Sequence, residues 1–385
     1  MGEGRDAAPA GVARLIFREI GSWRRDPWQL ALVSWLPLVL FASLWWIFSA
    51  GIVTDLGIGV VDLDDSRLSR VLIRQLDSTP ALRIAIRPLS VAEGRRAMSN
   101  ADIGALVVIP YDFQARVSRG LNPDVTAFYN GQFILIGKAV KSALLQAQAT
   151  LAGTIDGGMA LAHGAALPQA AGIAAPVVPQ LTPLYNAGMD YALFLVPAII
   201  PALWQVVMII GMLNAIGRER REGSWNRWLE AGALRAFVGK MFPYVVVYWV
   251  MGVAFLVAFE LLGWPVRGSW LVIIAAQGLT AVATAVMAGF LYVLVNDLPR
   301  SLSLAAAYTA PSFAFLGVTF PASDMPTLAL FWRSLIPVCH LMDLQISQMS
   351  RASNLGAVMS EFGALVLFLV VLPLVIVRLV PEVEG

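Results

Sequence analysis

Six long apolar segments constrain this chain more than any other feature of its sequence. None contains a charged residue, and a helix needs about 20 mostly apolar residues to cross the hydrocarbon core of a membrane. The composition agrees, because 14% of the residues are charged, against roughly a quarter in soluble domains. The sequence therefore predicts an α-helical polytopic membrane protein with six transmembrane helices. The apolar segments are residues 27–54, 191–217, 241–259, 268–296, 301–323 and 362–377.

Basic residues in the short connecting segments predict the orientation, because cytoplasmic loops carry an excess of arginine and lysine. Most lie on one side: Arg14, Arg18, Arg24, Arg25, Arg218, Arg220, Arg221, Arg227, Arg235, Lys240, Arg300 and Arg378. The other side has Arg267, Arg333 and Arg351. This bias predicts that both termini are cytoplasmic.

The first helix (28–54) is too long for a signal-peptide core and is read as an uncleaved anchor. Helices two to six occupy residues 187–385.

The N-terminal segment, residues 1–27, is predicted to contain an amphipathic helix at residues 11–25. Its apolar face has Val12, Ile16, Ile20 and Trp23. The opposite face has Arg14, Arg18 and Arg25. A helix of this kind lies along the inner surface of the membrane. The alternative is a basic leader that only sets the topology.

Residues 55–186 alternate between strand-like and helix-like stretches, a rhythm typical of a small α/β domain. Predicted strands are residues 58–63, 82–86, 105–109 and 125–129, and predicted helices include residues 66–76 and 90–98. A long helix with an apolar stripe from Phe133 to Met159 follows. Residues 164–186 are expected to form an extended return to the membrane. We therefore predict an inserted extracytoplasmic α/β domain with a long helix.

The sequence predicts no catalytic, cofactor-binding or metal site. Its single cysteine, Cys339, and its two distant histidines, His163 and His340, argue against a metal or catalytic cluster. The stretch GQFILIGK at residues 131–138 superficially resembles a phosphate-binding loop, but it has one residue too many between its glycines, and an alanine follows the lysine. A net charge of +2 does not imply nucleic acid. Acidic residues near the spans lie at their outer ends, which argues against a coupling-ion site at mid-membrane: Asp190, Glu260, Asp324 and Glu361.

Residues 218–230 (RERREGSWNRWLE), within the predicted cytoplasmic loop 218–240, mix both signs of charge with two tryptophans. This mixture favours a docking surface, and we expect Trp225 and Trp228 to be its main anchors for a partner. The alternative is a topogenic loop with interfacial tryptophans. The candidate residues of the docking loop are Arg218, Glu219, Arg221, Glu222, Gly223, Trp225 and Trp228.

The apolar stretch at residues 320–341 is interrupted by Pro321, Pro326 and Pro337. These breaks argue against a full crossing, so we predict a re-entrant outer hairpin made of two short helices. Three polar residues are candidates for an outer gate: Arg333, His340 and Asp343. The alternative is that they are ordinary interfacial polar groups.

Five motifs follow one another along the chain: Ile58–Asp64 (IGVVDLD), Ala105–Phe113 (ALVVIPYDF), Leu184–Pro197 (LYNAGMDYALFLVP), Arg218–Ser224 (RERREGS) and Gly317–Pro326 (GVTFPASDMP). Their order and spacing resemble the type-2 ABC exporter permease family, in the branch with a large extracytoplasmic domain after the first transmembrane helix. Gly239-Lys240 and Pro243-Tyr244 are similar to that family's continuation into the third helix. Two positions depart from the pattern: Ala187 replaces the usual proline, and Glu230-Ala-Gly stands where Thr-Pro is more common.

The resemblance implies the membrane subunit of an ATP-driven exporter in a bacterial inner membrane, with no catalytic activity of its own. It implies a second permease subunit, in a homodimer or heterodimer, and a separate ABC-type ATPase that binds the cytoplasmic loop. In this branch the outer domain often meets a periplasmic adaptor protein, and membrane lipid surrounds the helices. Two other classes remain open. One is an envelope sensor or assembly protein whose outer domain binds a ligand or partner, and the other is a membrane-embedded enzyme.

Overall fold

The computed structural model describes residues 11–49, 55–119, 121, 124–129, 134–162 and 190–380. The chain divides into two compact units. One comprises Met1–Ser49 with Ala192–Gly385, and the other comprises Ala50–Tyr191. The predicted extended return at residues 164–186 lies outside the described residues.

The helical unit begins with three helices, α1 (Val12–Trp23), α2 (Pro27–Val33) and α3 (Trp35–Phe48). The sequence at the start of α2 strongly favours helix initiation. Asp26 caps the helix by accepting a hydrogen bond from the Gln29 backbone N–H, and a proline occupies the first turn. α2 and α3 meet at a 50° bend, and together they are long and apolar enough for one broken membrane span. Pro37 contributes to the break, since it has no N–H to donate to the carbonyl one turn earlier.

The second unit is built on a four-stranded sheet in the order β2-β1-β3-β4. Strands β1, β2 and β3 are parallel, and β4 is antiparallel to β3. The strands agree with the predicted ones within two residues at each end. In chain order the elements of this unit are β1 Leu56–Asp62, α4 Arg67–Asp77, β2 Leu82–Ile86, α5 Val91–Ser99, β3 Ala105–Ile109, α6 Phe113–Ser118, β4 Thr126–Tyr129 and α7 Ile134–Ala162.

Helices cover both faces of this sheet, as expected for parallel strands joined by helical crossovers. On one face α4 and α7 close a core that includes Ile58, Leu72 and Val140. On the other face α5 packs over Val61 and Leu106. The unit therefore has a hydrophobic core of its own.

The helical unit resumes with three long helices and a short one in the loop that the sequence singled out. The long helices are α8 (Tyr191–Arg221), α10 (Ala233–Leu261) and α11 (Trp270–Val295), and the short helix is α9 (Trp225–Leu229). The prolines inside α8 and α10 do not interrupt them. α8, α10, α11 and the continuous helical segment Leu355–Leu379 each qualify as a membrane span by length and composition. The described residues therefore supply four such spans, or five with the bent pair α2–α3.

Residues 301–323 do not form the single helix that the sequence predicted. The structure has a 12-residue helix, α12 (Leu298–Thr309), followed by the one-turn helix α13 (Ser312–Phe315). Pro311 cannot continue the hydrogen-bond ladder of α12, and Gly317 adopts a positive φ of 80° shortly afterwards. The expectation of an uninterrupted fifth spanning helix is therefore wrong.

The hairpin segment forms two short helices, α14 (Thr327–Ser334) and α15 (Pro337–Ile346). A π-helical turn, Ser347–Arg351, extends α15. The last span consists of α16 (Leu355–Leu367), a 3-10 turn (Phe368–Val371) and α17 (Leu372–Leu379). Re-entry of the hairpin into the membrane stays a prediction.

Candidate functional site

Glu19 of α1 lies at the centre of a buried group of ion pairs. Its carboxylate binds Arg218 at the end of α8 and Lys240 near the start of α10, the latter at 2.7 Å between Nζ and Oε2. Glu19 is 2% exposed, and both basic residues are also buried. α1 is therefore tied to two long helices by charge-assisted hydrogen bonds.

Two more charged residues complete this group. Glu219 accepts from Lys240 Nζ at 2.7 Å and from Arg18 Nη2 at 2.5 Å. Ser224 Oγ donates to the second oxygen of Glu219 at 2.5 Å. Arg18 is the only exposed member, with 37% of its side chain accessible. Arg18, Glu19, Arg218, Glu219 and Lys240 are called the Glu19 cluster below.

The Glu19 cluster follows from the residue spacing on two helices. Leu15 and Glu19 are four residues apart and form the buried side of α1. α1 can lie close to α10 because of Gly239, where an added Cβ would come within 2.8 Å of the Leu15 Cβ. One turn beyond Lys240, Tyr244 donates from its hydroxyl to Glu19 Oε1 at 2.7 Å.

The charges around Glu19 decide its protonation. Burial alone would raise the pKa of its carboxyl group, but Lys240 and Arg218 lower it more, so the pKa of Glu19 lies below its ordinary value. Glu19 is therefore ionised at neutral pH. The four buried members carry two positive and two negative charges, so the cluster is balanced inside the protein.

Trp225 and Trp228 are buried inside this chain, which corrects their predicted role as the main anchors for a partner. Trp228 is 0% exposed, and its Nε1 donates to the Ala236 carbonyl at 2.9 Å. Trp225 packs edge-on against Trp228 and stacks on Tyr292 of α11. Arg220 lies 4.3 Å over the Trp225 ring. The tryptophans thus hold the loop against the helices, and they cannot anchor a partner without leaving this packing.

Other residues form the exposed side of the same loop. Gly223 turns the chain with a φ of 64° after α8 ends, a conformation that favours glycine. Of the predicted docking residues, Arg221 and Glu222 are exposed while Arg218 and Glu219 belong to the buried Glu19 cluster. The exposed residues of the loop are Arg220, Arg221, Glu222, Gly223, Asn226, Arg227 and Glu230.

The three gate candidates lie together, joined by a fourth residue. Arg333 Nη2 pairs with Asp343 at 2.6 Å, and Arg333 Nε donates to the Phe315 carbonyl at 2.9 Å. His340 Nδ1 lies 2.8 Å from Glu361 on α16, and its Nε2 lies 3.0 Å from the Ser334 carbonyl. Arg333, His340, Asp343 and Glu361 are called the His340 cluster below.

Sequence reasoning missed the role of Glu19, Lys240 and Glu361 in these clusters. Glu19 did leave a signal, because it is the only acidic residue of the predicted amphipathic helix and it falls on the apolar side, with Val12 and Trp23. A lone charge on an apolar face needs a partner when that face is buried. Glu361 was noted only as an outer-end acid. The described residues contain no group of His, Cys, Asp or Glu that could hold a metal ion.

The comparison with known families identifies the family of the chain. The profile of the ABC-2 family transporter proteins matches residues 27–378, which confirms the predicted resemblance to type-2 ABC permeases. No curated protein and no solved structure matches the chain. The match spans most of the chain, from the start of α2 to the end of α17. The chain therefore belongs to the ABC-2 family of transporter proteins.

Proposed function

We propose that this chain is the permease subunit of an ATP-driven exporter, and that the loop between α8 and α10 receives the motion of a separate ATPase subunit. The ABC-2 permeases are the membrane component of transporters, are not themselves catalytic and typically work with an ATPase partner. The direction of transport and the identity of the partner are parts of the proposal.

The observation that carries the proposal is the Glu19 cluster. It joins α1, the end of α8 and the start of α10 into one block directly behind the loop. A coupling element has to move as one body. Buried ion pairs resist separation because a buried charge without its partner is costly. A displacement of the loop by the ATPase would therefore move α8 and α10 with it, and the loop itself would deform little.

The exposed loop surface offers the ATPase both signs of charge. Glu222, Arg227 and Glu230 can pair with opposite charges, and Leu234 at the start of α10 adds an exposed apolar side chain. Single exposed ion pairs contribute about 0–1 kcal/mol each. We therefore propose that affinity is spread over several contacts, with the buried tryptophans keeping the surface in shape.

We propose the remaining arrangement from the charge bias and the family. Both termini and the loop are cytoplasmic, residues 55–186 are extracytoplasmic, and six crossings are completed by α2–α3 and by α12–α13. Two permease subunits form the pore in a bacterial inner membrane, and the second unit can meet a periplasmic adaptor. The His340 cluster stands at the outer exit as a gate.

The test is a pull-down of the ATPase subunit, identified by its phosphate-binding loop in the adjacent reading frame. Full-length protein in lipid nanodiscs serves as bait. The charge reversal Arg227→Glu in the loop should reduce capture severalfold. Arg96→Glu changes an arginine of the second unit that is also exposed, and it should leave capture unchanged. Equal capture by both variants would contradict docking at the loop, and capture by neither the variants nor the unsubstituted protein would contradict the proposed function.

A further inference from the structure

Two buried glutamine side chains connect α8 with α15. Gln205 Oε1 accepts a hydrogen bond from the Val338 backbone N–H at 2.6 Å. Gln345 Nε2 donates to the Pro197 backbone carbonyl at 2.7 Å. Gln205 is 0% exposed and Gln345 is 1% exposed. Both bonds are therefore shielded from competing water.

Each glutamine satisfies a backbone group that its own helix leaves without a partner. Pro201 has no N–H, so the Pro197 carbonyl lacks the donor that an ordinary helix would supply, and Gln345 takes its place. Val338 lies in the first turn of α15, where backbone N–H groups have no intrahelical acceptor, and Gln205 supplies one. In a membrane, backbone groups that are left unpaired are costly because no water is present to bond them.

The two bonds act at opposite ends of α15. Gln205 and Pro197 are roughly 12 Å apart along α8, and Val338 and Gln345 are roughly 10 Å apart along α15, from a rise of about 1.5 Å per residue. The two helices therefore run antiparallel here. Attachment at both ends prevents α15 from pivoting about a single contact, so it is held along α8 as a rigid body.

Glutamine is an unfavourable residue at these two positions if the side chain only fills space in the core. Gln205 Nε2 and Gln345 Oε1 have no hydrogen-bond partner among the described residues. A buried polar atom without a partner offsets part of what the bonded atom contributes. An apolar side chain of the same length would avoid that cost but would lose the bond. The bonds thus favour a particular placement of α15 over maximal stability.

α8 is also part of the Glu19 cluster. Pro197 and Arg218 lie roughly 31 Å apart along this continuous helix, which is about the thickness of the hydrocarbon core. α15 in turn carries His340 and Asp343 of the His340 cluster. α8 is therefore part of the Glu19 cluster at one end and is bonded at the other end to α15, which carries two of the gate candidates.

We propose that Gln205 and Gln345 are positioning residues that make α15 follow α8, so that movement of the Glu19 cluster reaches the His340 cluster. This inference rests on the proposed function. It predicts an uncoupled phenotype when the bonds are removed. The ATPase would still bind and hydrolyse ATP, but the hairpin would no longer respond to nucleotide.

The test uses the full permease with its ATPase subunit in nanodiscs. Ser334→Cys, an exposed position on α14, is labelled with a membrane-impermeant maleimide in a Cys339→Ala background, without nucleotide and with ATP plus vanadate. Gln205→Met and Gln345→Met remove the bonds at nearly constant volume. Gln277→Met is the matched control, because Gln277 is a buried glutamine that bonds the Gly252 carbonyl and joins α11 to α10 instead.

We expect a severalfold nucleotide-dependent change in the labelling rate for the unsubstituted protein and for the Gln277 variant. Gln345→Met and the double Gln205→Met/Gln345→Met should lose that change while ATP hydrolysis stays within about twofold. Amide exchange in residues 337–346, measured on the permease alone, should rise in the same variants and not in the control.

Two outcomes would overturn the inference while leaving the proposed function standing. One is a double variant that keeps the full nucleotide-dependent change, and the other is unaltered amide exchange in residues 337–346. An unsubstituted protein with neither ATPase binding nor a nucleotide-dependent change would refute the proposed function itself, and the transmission with it. Where the double variant does not insert into the membrane, the single Gln345→Met carries the same comparison.

Discussion

Replacing Glu19 with glutamine should destabilise the helical unit far more than replacing Arg18 with glutamine. Glutamine retains the size of Glu19 and can still accept from the Tyr244 hydroxyl, so the change removes chiefly the charge. Lys240 would then keep only Glu219, and Arg218 would keep only Glu222, which is exposed and 4.0 Å away. Removing one partner of a buried ion pair costs about 3–5 kcal/mol. Arg18 is partly exposed, so the loss of its pair should cost about 1 kcal/mol or less.

The assay is thermal unfolding of the full chain in detergent, followed by tryptophan fluorescence, because Lys240 lies over the Trp228 ring and Trp23 bonds the Tyr244 hydroxyl. A loss of about 3–5 kcal/mol corresponds to a fall in Tm of roughly 10 °C for a unit of this size, and a loss of about 1 kcal/mol to roughly 3 °C. The double variant Glu19→Gln/Lys240→Met removes one charge of each sign. It should therefore cost less than the sum of its single changes, by about 2 kcal/mol.

The reasoning would be refuted by equal falls in Tm for Glu19→Gln and Arg18→Gln. It would also be refuted by strict additivity in the double variant, since additivity means that the two side chains do not interact. Either result would reduce the Glu19 cluster to incidental contacts and would remove the rigid block on which the coupling proposal depends.

The remaining predictions concern packing, pH and topology. Trp228→Ala should cost about 3–5 kcal/mol, as expected for a fully buried tryptophan, and the fall in Tm measures it. Gly239→Val should displace α1, seen as faster amide exchange in that helix, because the added Cβ has no room beside it. Since the folded pKa of Glu19 is lowered, its stabilisation is present above the ordinary pKa of about 4.5 and is lost as pH falls through the lowered value. The Tm difference between the protein and Glu19→Gln should therefore shrink only in acid, whereas a shrinkage near pH 7 would contradict it. Cysteines at Asp102 and Asn226 should react with impermeant reagents from opposite membrane faces, and labelling from the same face would refute the topology.

Local patterns were enough to predict much of the secondary structure. Two different patterns located strands β2 and β3 at the observed bounds. β3 (ALVVI) is a short continuous apolar run, as expected for a buried strand, and β2 (LRIAI) alternates, as expected for a half-buried strand at the sheet edge. The long spans α8, α10 and α11 were visible for a similar reason. The amphipathic pattern of residues 11–25 also located α1.

The prolines show where such patterns stop being informative. Pro197 and Pro201 stay inside a continuous helix, while Pro311 marks a break. At Pro201 the helix continues with the help of a distant residue. The side chain of Gln345 donates to the Pro197 carbonyl in place of the N–H that Pro201 lacks. The residues next to the proline in the sequence do not indicate that such a donor exists.

The candidate site was harder to predict for the same reason. The partners of Glu19 come from about 200 residues further along the chain, so their pairing is a property of helix packing. A buried tryptophan and an interfacial one look alike in sequence, which is why Trp225 and Trp228 were assigned to a partner surface. Arg333, His340 and Asp343 were easier because they lie within one hairpin.

The measurement that tests the central claim most directly is stimulated ATP hydrolysis. The ATPase subunit is assayed alone, with the full-length permease in nanodiscs, and with the loop variant Arg227→Glu or the control Arg96→Glu. We predict severalfold stimulation by the unsubstituted permease and by the control, and little stimulation by the loop variant. Equal stimulation by all three permeases would contradict coupling through the loop between α8 and α10.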